Sequence, residues 1–227
     1  MTRDELLRTL ARHIDAVRRP HPTRVAIDGV DAAGKTTLAD DLVAPLAALG
    51  RPIIRASGDA FGQPAAIRYR RGRMSGEGYF HDAVNHAALV DALLAPLGPG
   101  GTLRCRRVGF DILHDQPIDA AIEHAPPDAV LLVDGVYLLR DELGPFWDVT
   151  VFVQASFDVT LARAEARDAA RFGGVDATRQ RYLERYIPGQ RLYLAEVDPE
   201  RRAQFVVRND DPTHPQLISH PGTTTRS

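Results

Sequence analysis

Gly29-Val30-Asp31-Ala32-Ala33-Gly34-Lys35-Thr36-Thr37 is the stretch on which the reading turns. Before it, residues 24 to 28 (Arg-Val-Ala-Ile-Asp) form a short apolar run of the kind found in a buried strand. After it, residues 36 to 49 place apolar side chains at helical spacing, with Pro45 inside that span where it can kink or shorten a helix. The nine residues match G-x4-G-K-[ST]. Small residues and glycines let consecutive backbone N–H groups curl around an anion's oxygens, and the following helix N-terminus adds its positive end. Gly29, Asp31, Ala32, Ala33, Gly34, Lys35, Thr36 and Thr37 are therefore the candidate phosphate-cradle residues. In such a loop Lys35 can reach β- and γ-phosphates, and the Thr36 hydroxyl can ligate Mg²⁺. A dinucleotide fingerprint fails because Asp31 stands where G-x-G needs its second glycine. The plainer alternative is a glycine turn with no ligand. Against it stands Lys35 itself, the lone lysine among 28 basic residues, held where a compact ammonium on a flexible stem is wanted rather than a planar guanidinium.

Composition bounds the rest. The chain has 227 residues, 44% hydrophobic and 26% charged, enough for one domain with a sizeable core and no need of disulfides. Its single cysteine, Cys105, makes neither an internal bridge nor a zinc site alone. A net charge of −2 gives no general pull toward nucleic acid or an anionic membrane surface. There is no apolar run long enough for a membrane span, and Met1-Thr2-Arg3-Asp4-Glu5 lacks the layout of a signal peptide. The expectation is a cytoplasmic protein that binds neither nucleic acid nor membrane; a homo-oligomer stays open.

Outward from the loop, residues 3 to 18 read as an amphipathic helix ended by Pro20 and Pro22. Residues 51 to 57 contain a second strand, residues 58 to 80 read as a long arginine- and glycine-rich loop, and residues 83 to 95 as a helix. Residues 102 to 118 look extended, as in a hairpin. The apolar run Ala129 to Val133, closed by Asp134, is the pattern of a strand covered on both faces. A further strand spans 148 to 153, helices span 156 to 172 and 176 to 197 across Gly173-Gly174, and a last strand covers 204 to 208. Alternation of this kind predicts a three-layer α/β fold with a mainly parallel sheet and a helical, arginine-bearing lid near 160 to 190. One domain is expected over 1 to 210, with a loose tail over 211 to 227.

Ligands in such sheets sit beyond the carboxyl ends of the strands. Asp134 there fits a metal-shell acid beside Thr36, or a turn aspartate. Asp59 can serve as a general base on an attacking hydroxyl, or as a turn residue. Asp28, just before the loop, reads as structural. Arg163, Arg167 and Arg171 recur every four residues and so share a helical face. They fit a lid that closes on transferring phosphate, with Arg167 foremost, or a solvated charged face paired to Glu165 and Asp168.

With these residues in view, the chain resembles the uridine kinase group of P-loop kinases, within the wider set that includes phosphoribulokinase and bacterial pantothenate kinase. Gly58-Asp59-Ala60-Phe61 is similar to that group's Q-D-S-F-Y, Phe80-His81-Asp82-Ala83 to its H-P-D-A, and Val108-Gly109-Phe110-Asp111 to its V-Y-D-F. Leu132-Val133-Asp134-Gly135 is similar to its F-E-G, and residues 163 to 168 to its lid segment. The resemblance implies ATP and Mg²⁺ as cosubstrate and cofactor and a nucleoside 5′-hydroxyl as acceptor. It implies Asp59 as base, Phe110 stacked near the nucleobase, Arg167 at the phosphates and His114 near the base-contacting histidine. Departures lie at Asp134, where the group has glutamate, at Phe110, where it has tyrosine, and at Tyr79, where it has a ribose-binding aspartate; Asp82 is nearby but not equivalent. Candidate acceptor contacts are thus Tyr79, Asp82, Phe110, His114, Arg163 and Arg171.

Three functions follow for test: phosphorylation of a pyrimidine ribonucleoside such as uridine or cytidine; phosphorylation of another small acceptor (pantothenate-like, sugar phosphate or nucleotide), with Arg68, Arg70, Arg71 and Arg73 available to an acceptor phosphate; and an acceptor-independent nucleotide switch. Guanine recognition through N-K-x-D has no lysine left with which to be written.

Overall fold

A computed structural model describes residues 1–219. Its first helix, α1 (Arg3–Ala16), starts at a capping box in which Thr2 and Glu5 satisfy each other's backbone N–H groups. Strand β1 (Thr23–Gly29) runs into the phosphate loop, and α2 (Lys35–Asp41) leaves it. The helix expected over 36 to 49 is broken: α3 (Val43–Ala48) restarts after Leu42, because Pro45 lacks the N–H that would bond back to Asp41.

After β2 (Ile53–Ser57), the stretch read as a long loop carries structure of its own. A 3₁₀ turn (Gly58–Phe61) is followed by α4 (Ala65–Arg68) and by α5 (Gly76–Asp82), which is capped by the Ser75 hydroxyl. Next come α6 (His86–Leu89), capped by Asn85 and continued by a π-helical turn at Val90–Leu94, and four two-residue strands: β3 (Arg104–Cys105), β4 (Phe110–Asp111), β5 (Gln116–Pro117) and β6 (Glu123–His124). The expected hairpin is realised as β4 paired antiparallel to β5, while β3 pairs with β6. Strands β7 (Val130–Gly135) and β8 (Val149–Gln154) precede the arginine-bearing helices α7 (Phe157–Phe172) and α8 (Val175–Arg181). These join at Gly173 and Gly174, both at positive φ, where a side chain would be strained. A π-helical turn at Tyr182–Tyr186 leads into α9 (Ile187–Val197), with Pro188 in its first turn, and the short α10 (Pro199–Arg202) precedes β9 (Phe205–Arg208).

The tail expected to be loose beyond residue 210 contains β10 (Gln216–Ser219), which pairs antiparallel with β9; Leu217 and Ile218 give it enough apolar surface to close the sheet edge. The rest of that tail, 220 to 227, lies outside the described residues.

The six-stranded sheet has the order β10-β9-β8-β1-β7-β2, parallel except for β10. Both faces are covered. On β7, Val130 and Leu132 pack with α1 to α3 through Leu6, Leu10, Leu38 and Leu42, while Leu131 and Val133 pack with Phe61, Phe80, Leu93 and Tyr193. Full burial of each such side chain contributes roughly 1.5–3 kcal/mol, so Val25–Ile27 of β1 and Val130–Val133 of β7 are apolar and the acids fall at the carboxyl ends, while the buried Arg24 near the start of β1 is paired with Asp148. The register places Asp28 beside Gly135 and Ser57 beside Asp134, all at the carboxyl edge.

Candidate active site

The phosphate loop is built by backbone conformation. Ala32 and Gly34 hold φ of +59° and +99°, the left-handed region that turns successive N–H groups toward one centre. A Cβ on Gly34 would also stand 2.6 Å from Asn209 Nδ2, and Asn209 braces the loop by donating to the Ala33 carbonyl at 2.7 Å. Lys35, buried at the start of α2, donates to the Val30 carbonyl at 2.8 Å and so lies along the loop it is expected to serve. The Thr36 hydroxyl donates to Asp134 Oδ2 at 2.5 Å across α2 and β7. A hydroxyl and a carboxylate side by side at a helix N-terminus are hard oxygen donors of the number Mg²⁺ takes from protein when phosphate and water supply the rest. The residues therefore fit a Mg²⁺-bound nucleotide.

Two further acids share the site. Asp31, inside the loop, accepts from the Tyr79 hydroxyl at 2.8 Å and from the Gln190 side-chain amide, tying the loop to α5 and α9. Asp59 presents its carboxyl to a concave cleft of about 740 Å³ with Asp31, Tyr79, Arg167 and Arg171 among its lining. Although Asp59 is exposed to that cleft, the surrounding walls remove water and push its pKa up. Asp31 and Asp134 add to the rise, and Lys35 and Arg171 oppose it. The Tyr79 hydroxyl is held well above its usual range by burial and by Asp31, so it stays a hydrogen-bond donor. Asp28, read as structural, is fully buried, accepting from the Tyr193 hydroxyl and the Gly29 N–H; desolvation raises it from the ordinary 3.8 to about 6 despite those bonds and Lys35.

The three-arginine face divides. Arg163 donates to the carbonyls of Asn209 and Asp210 at 2.8 and 3.0 Å and pins the loop after β9. Arg167 pairs with Asp168 at 2.7 Å and reaches the Tyr182 hydroxyl, yet lines the cleft together with Arg171. The substrate candidates divide too. Tyr79 lines the cleft. Asp82 is buried under Arg70 and Arg71, whose hydrogen bonds, Arg70's foremost, and charges hold its carboxyl below the usual range against desolvation. His114 is exposed and bonded to Asp111 at 2.6 Å. Phe110 pairs with Pro117 in the small hairpin, and the cleft is lined instead by its neighbours Ile112, Leu113 and Asp115.

Sequence reasoning missed Arg55. It donates to Asp134 Oδ1 at 3.1 Å, lies 2.8 Å from Asp40 and also donates to the Leu132 carbonyl, so it fixes the acid that faces Thr36. An arginine inside the otherwise apolar Pro52-Ile53-Ile54-Arg55-Ala56 was the available signal. Gln190 and Tyr193 carried no comparable mark.

No family model matches the chain, and no curated protein does. Solved structures do. A possible uridine kinase from Bacillus stearothermophilus aligns over 89% of this chain and 97% of its own at 21% identity, TM-score 0.69. A provisionally named fructose transport system kinase from Silicibacter sp. TM1040 aligns over 83% and 94% at 24% identity, TM-score 0.68. D-glycerate 3-kinase from Cryptococcus neoformans aligns over 94% and 96% at 12% identity, TM-score 0.61. No helix among the described residues is long and apolar enough to cross a membrane. The shared architecture, with the loop at the carboxyl edge of β1, is a three-layer α/β fold of the P-loop NTPase type.

Proposed function

We propose that the chain is a Mg²⁺- and ATP-dependent phosphotransferase acting on a hydroxyl of a small molecule. One observation carries the reading. Lys35 and Thr36 at a helix N-terminus stand with Asp134 at 2.5 Å from the Thr36 hydroxyl, and Asp59, within the field of Lys35 and Asp134, lines a cleft large enough for an acceptor. The acceptor oxygen attacks the γ-phosphorus; the new O–P bond forms as the bond to the β,γ-bridging oxygen breaks, and that electron pair leaves with ADP. Asp59 takes the hydroxyl proton. Lys35, Arg167 and Arg171 meet the charge on the transferring group, and Tyr79 with Asp31 positions the acceptor. Thr36 and Asp134 would hold Mg²⁺, which supplies charge neutralisation and orientation of the β- and γ-phosphates. The names of the aligned structures, all kinases, support transfer to a hydroxyl.

The sequence resemblance favours the 5′-hydroxyl of a pyrimidine ribonucleoside, uridine or cytidine, as acceptor. A second reading, another small alcohol, is favoured by the positions of Phe110, His114 and Asp82, none of which lines the cleft. Asp59→Asn tests the base in either case. The expected outcome is a kcat lowered by about 10²–10⁴ with the KM for ATP little changed, together with loss of the acid limb of the pH–rate profile. Near-full turnover in the variant would remove Asp59 from the mechanism.

A further inference from the structure

The cleft is lined by six arginines and four aspartates, and the surplus is not spread evenly. Asp168 is engaged by Arg167 and Tyr182, Asp31 by Tyr79 and Gln190, and Asp59 lies within the field of Lys35 and Arg171. That leaves Asp115 as the acid for the wall formed by residues 65 to 74 and Arg185. It pairs with Arg68 at 3.0 Å. Around the Tyr69 ring stand three guanidinium groups, those of Arg68, Arg73 and Arg185, at 5.1, 4.9 and 5.1 Å from its centroid.

Each of the three differs in what it has left to give. Arg185 is buried and donates to the carbonyls of Arg68, Arg73 and Ser75, so it organises the wall rather than binding across it. Arg68 is 92% buried, lines the cleft, and its Nε has no hydrogen-bond partner among the described residues. Arg73 rests on the Tyr69 face, is exposed, and its guanidinium has no polar partner among the described residues. The neighbouring Arg70 and Arg71, by contrast, are both occupied by Asp82. The buried Arg68 Nε–H without an acceptor costs roughly 1–3 kcal/mol, and the exposed Arg73 guanidinium stands beside it with its hydrogen-bond donors uncommitted among the described residues. An anion with acceptor oxygens at this end of the cleft would meet both guanidinium groups at once.

Resting on the phosphotransfer reading above, we propose that the acceptor carries an anionic group of its own, a phosphomonoester or a carboxylate, held by Arg68 and Arg73 at the Tyr69 end of the cleft while its hydroxyl faces Asp59. An arginine pair on an aromatic platform suits planar carboxylate and tetrahedral phosphate alike, through bidentate N–H···O bonds. The four-arginine run at 68 to 73 is thereby split in function: Arg70 and Arg71 secure α5 through Asp82, and Arg68 and Arg73 face the ligand.

The test has two stages on the full chain. A non-hydrolysable ATP analogue with Mg²⁺ is titrated first; failure to bind condemns the phosphate-loop reading by itself. On the analogue-loaded protein, inorganic phosphate and, separately, propionate are then titrated by calorimetry. Binding of at least one, weakened tenfold or more in Arg73→Gln and in the milder Arg68→Lys, is the expected result, and the stronger of the two probes names the anion. Turnover is measured with matched alcohols: glycerol, glycerate and glycerol 3-phosphate; ribose and ribose 5-phosphate; uridine and uridine 3′-monophosphate. In any set that reacts, the charged member is expected to exceed the neutral one at least tenfold in kcat/KM, and Arg73→Gln to act on the KM of the charged acceptor. Neutral members that perform as well as charged ones leave the kinase reading standing and overturn the anion site. The anion site is overturned equally if neither probe binds, or if Arg73→Gln raises the KM for ATP instead.

Discussion

The Asp28 carboxyl offers a prediction whose size follows from the structure. It is buried without a cationic partner in hydrogen-bond contact, and desolvation lifts it from 3.8 to about 6. A folded-state value above the unfolded one means that the protonated form favours folding. Stability is therefore fully present below pH ~4 and is lost as pH rises through about 6. The rise corresponds to ~3 kcal/mol at pH 8. Asp28→Asn keeps the shape and removes the charge, but its amide must replace an acceptor oxygen facing Tyr193 or Gly29. Turning the Tyr193 hydroxyl to accept recovers part of that loss, and a penalty of ~1 kcal/mol against the variant leaves ~2 kcal/mol of net gain. For a chain of this length that is roughly 4–8 °C in Tm. The assay is thermal or urea unfolding at pH 4 and pH 8. The variant is expected to match or fall slightly below wild type at pH 4 and to exceed it at pH 8. An equal or lower Tm at pH 8, with the wild-type pH slope retained, would mean that the Asp28 charge is not what lowers stability there.

Two further predictions concern the loop and the neighbouring acid Asp134. Gly34→Ala forces a Cβ to 2.6 Å from Asn209 Nδ2 at a φ of +99°, so ATP affinity should fall tenfold or more while far-ultraviolet circular dichroism is unchanged; calorimetry reads the first and retained affinity would count against it. Arg55→Ala leaves the buried Asp134 without its cationic partner. Discounted for the partial exposure of Arg55, the loss should be about 2–3 kcal/mol in urea unfolding, and Arg55→Lys should recover part of it.

What the sequence made legible and what it did not divide along a physical line. The phosphate loop, β1 and β7 were readable because local demands set them: φ of the loop residues, the stem of Lys35, and strands whose two buried faces leave an unbroken apolar run. Asp134 was readable because such a run tolerates an acid only at its end. Pairings that depend on tertiary approach were not. Arg55 and Asp134 lie 79 residues apart, Tyr79 and Asp31 lie 48 apart, and no local pattern ties them. Arginine itself carried little information in a chain with so many. The spacing of Arg163, Arg167 and Arg171 gave a shared helical face, but the loop after β9 took Arg163 for its own carbonyls. Strand β10 escaped notice because a short antiparallel edge strand needs only one apolar side chain per face, Leu217 on one and Ile218 on the other.

Everything proposed for the site requires that the turn ending at Thr37 grip a nucleoside triphosphate. Titration calorimetry of the purified chain with a Mg²⁺-bound, non-hydrolysable ATP analogue puts that requirement to the test. One saturable site per chain is expected, weakened at least tenfold in Lys35→Ala and when Mg²⁺ is withheld. Wild-type protein that is folded by circular dichroism yet shows no binding, or a Lys35→Ala variant that binds as tightly as wild type, would disprove it.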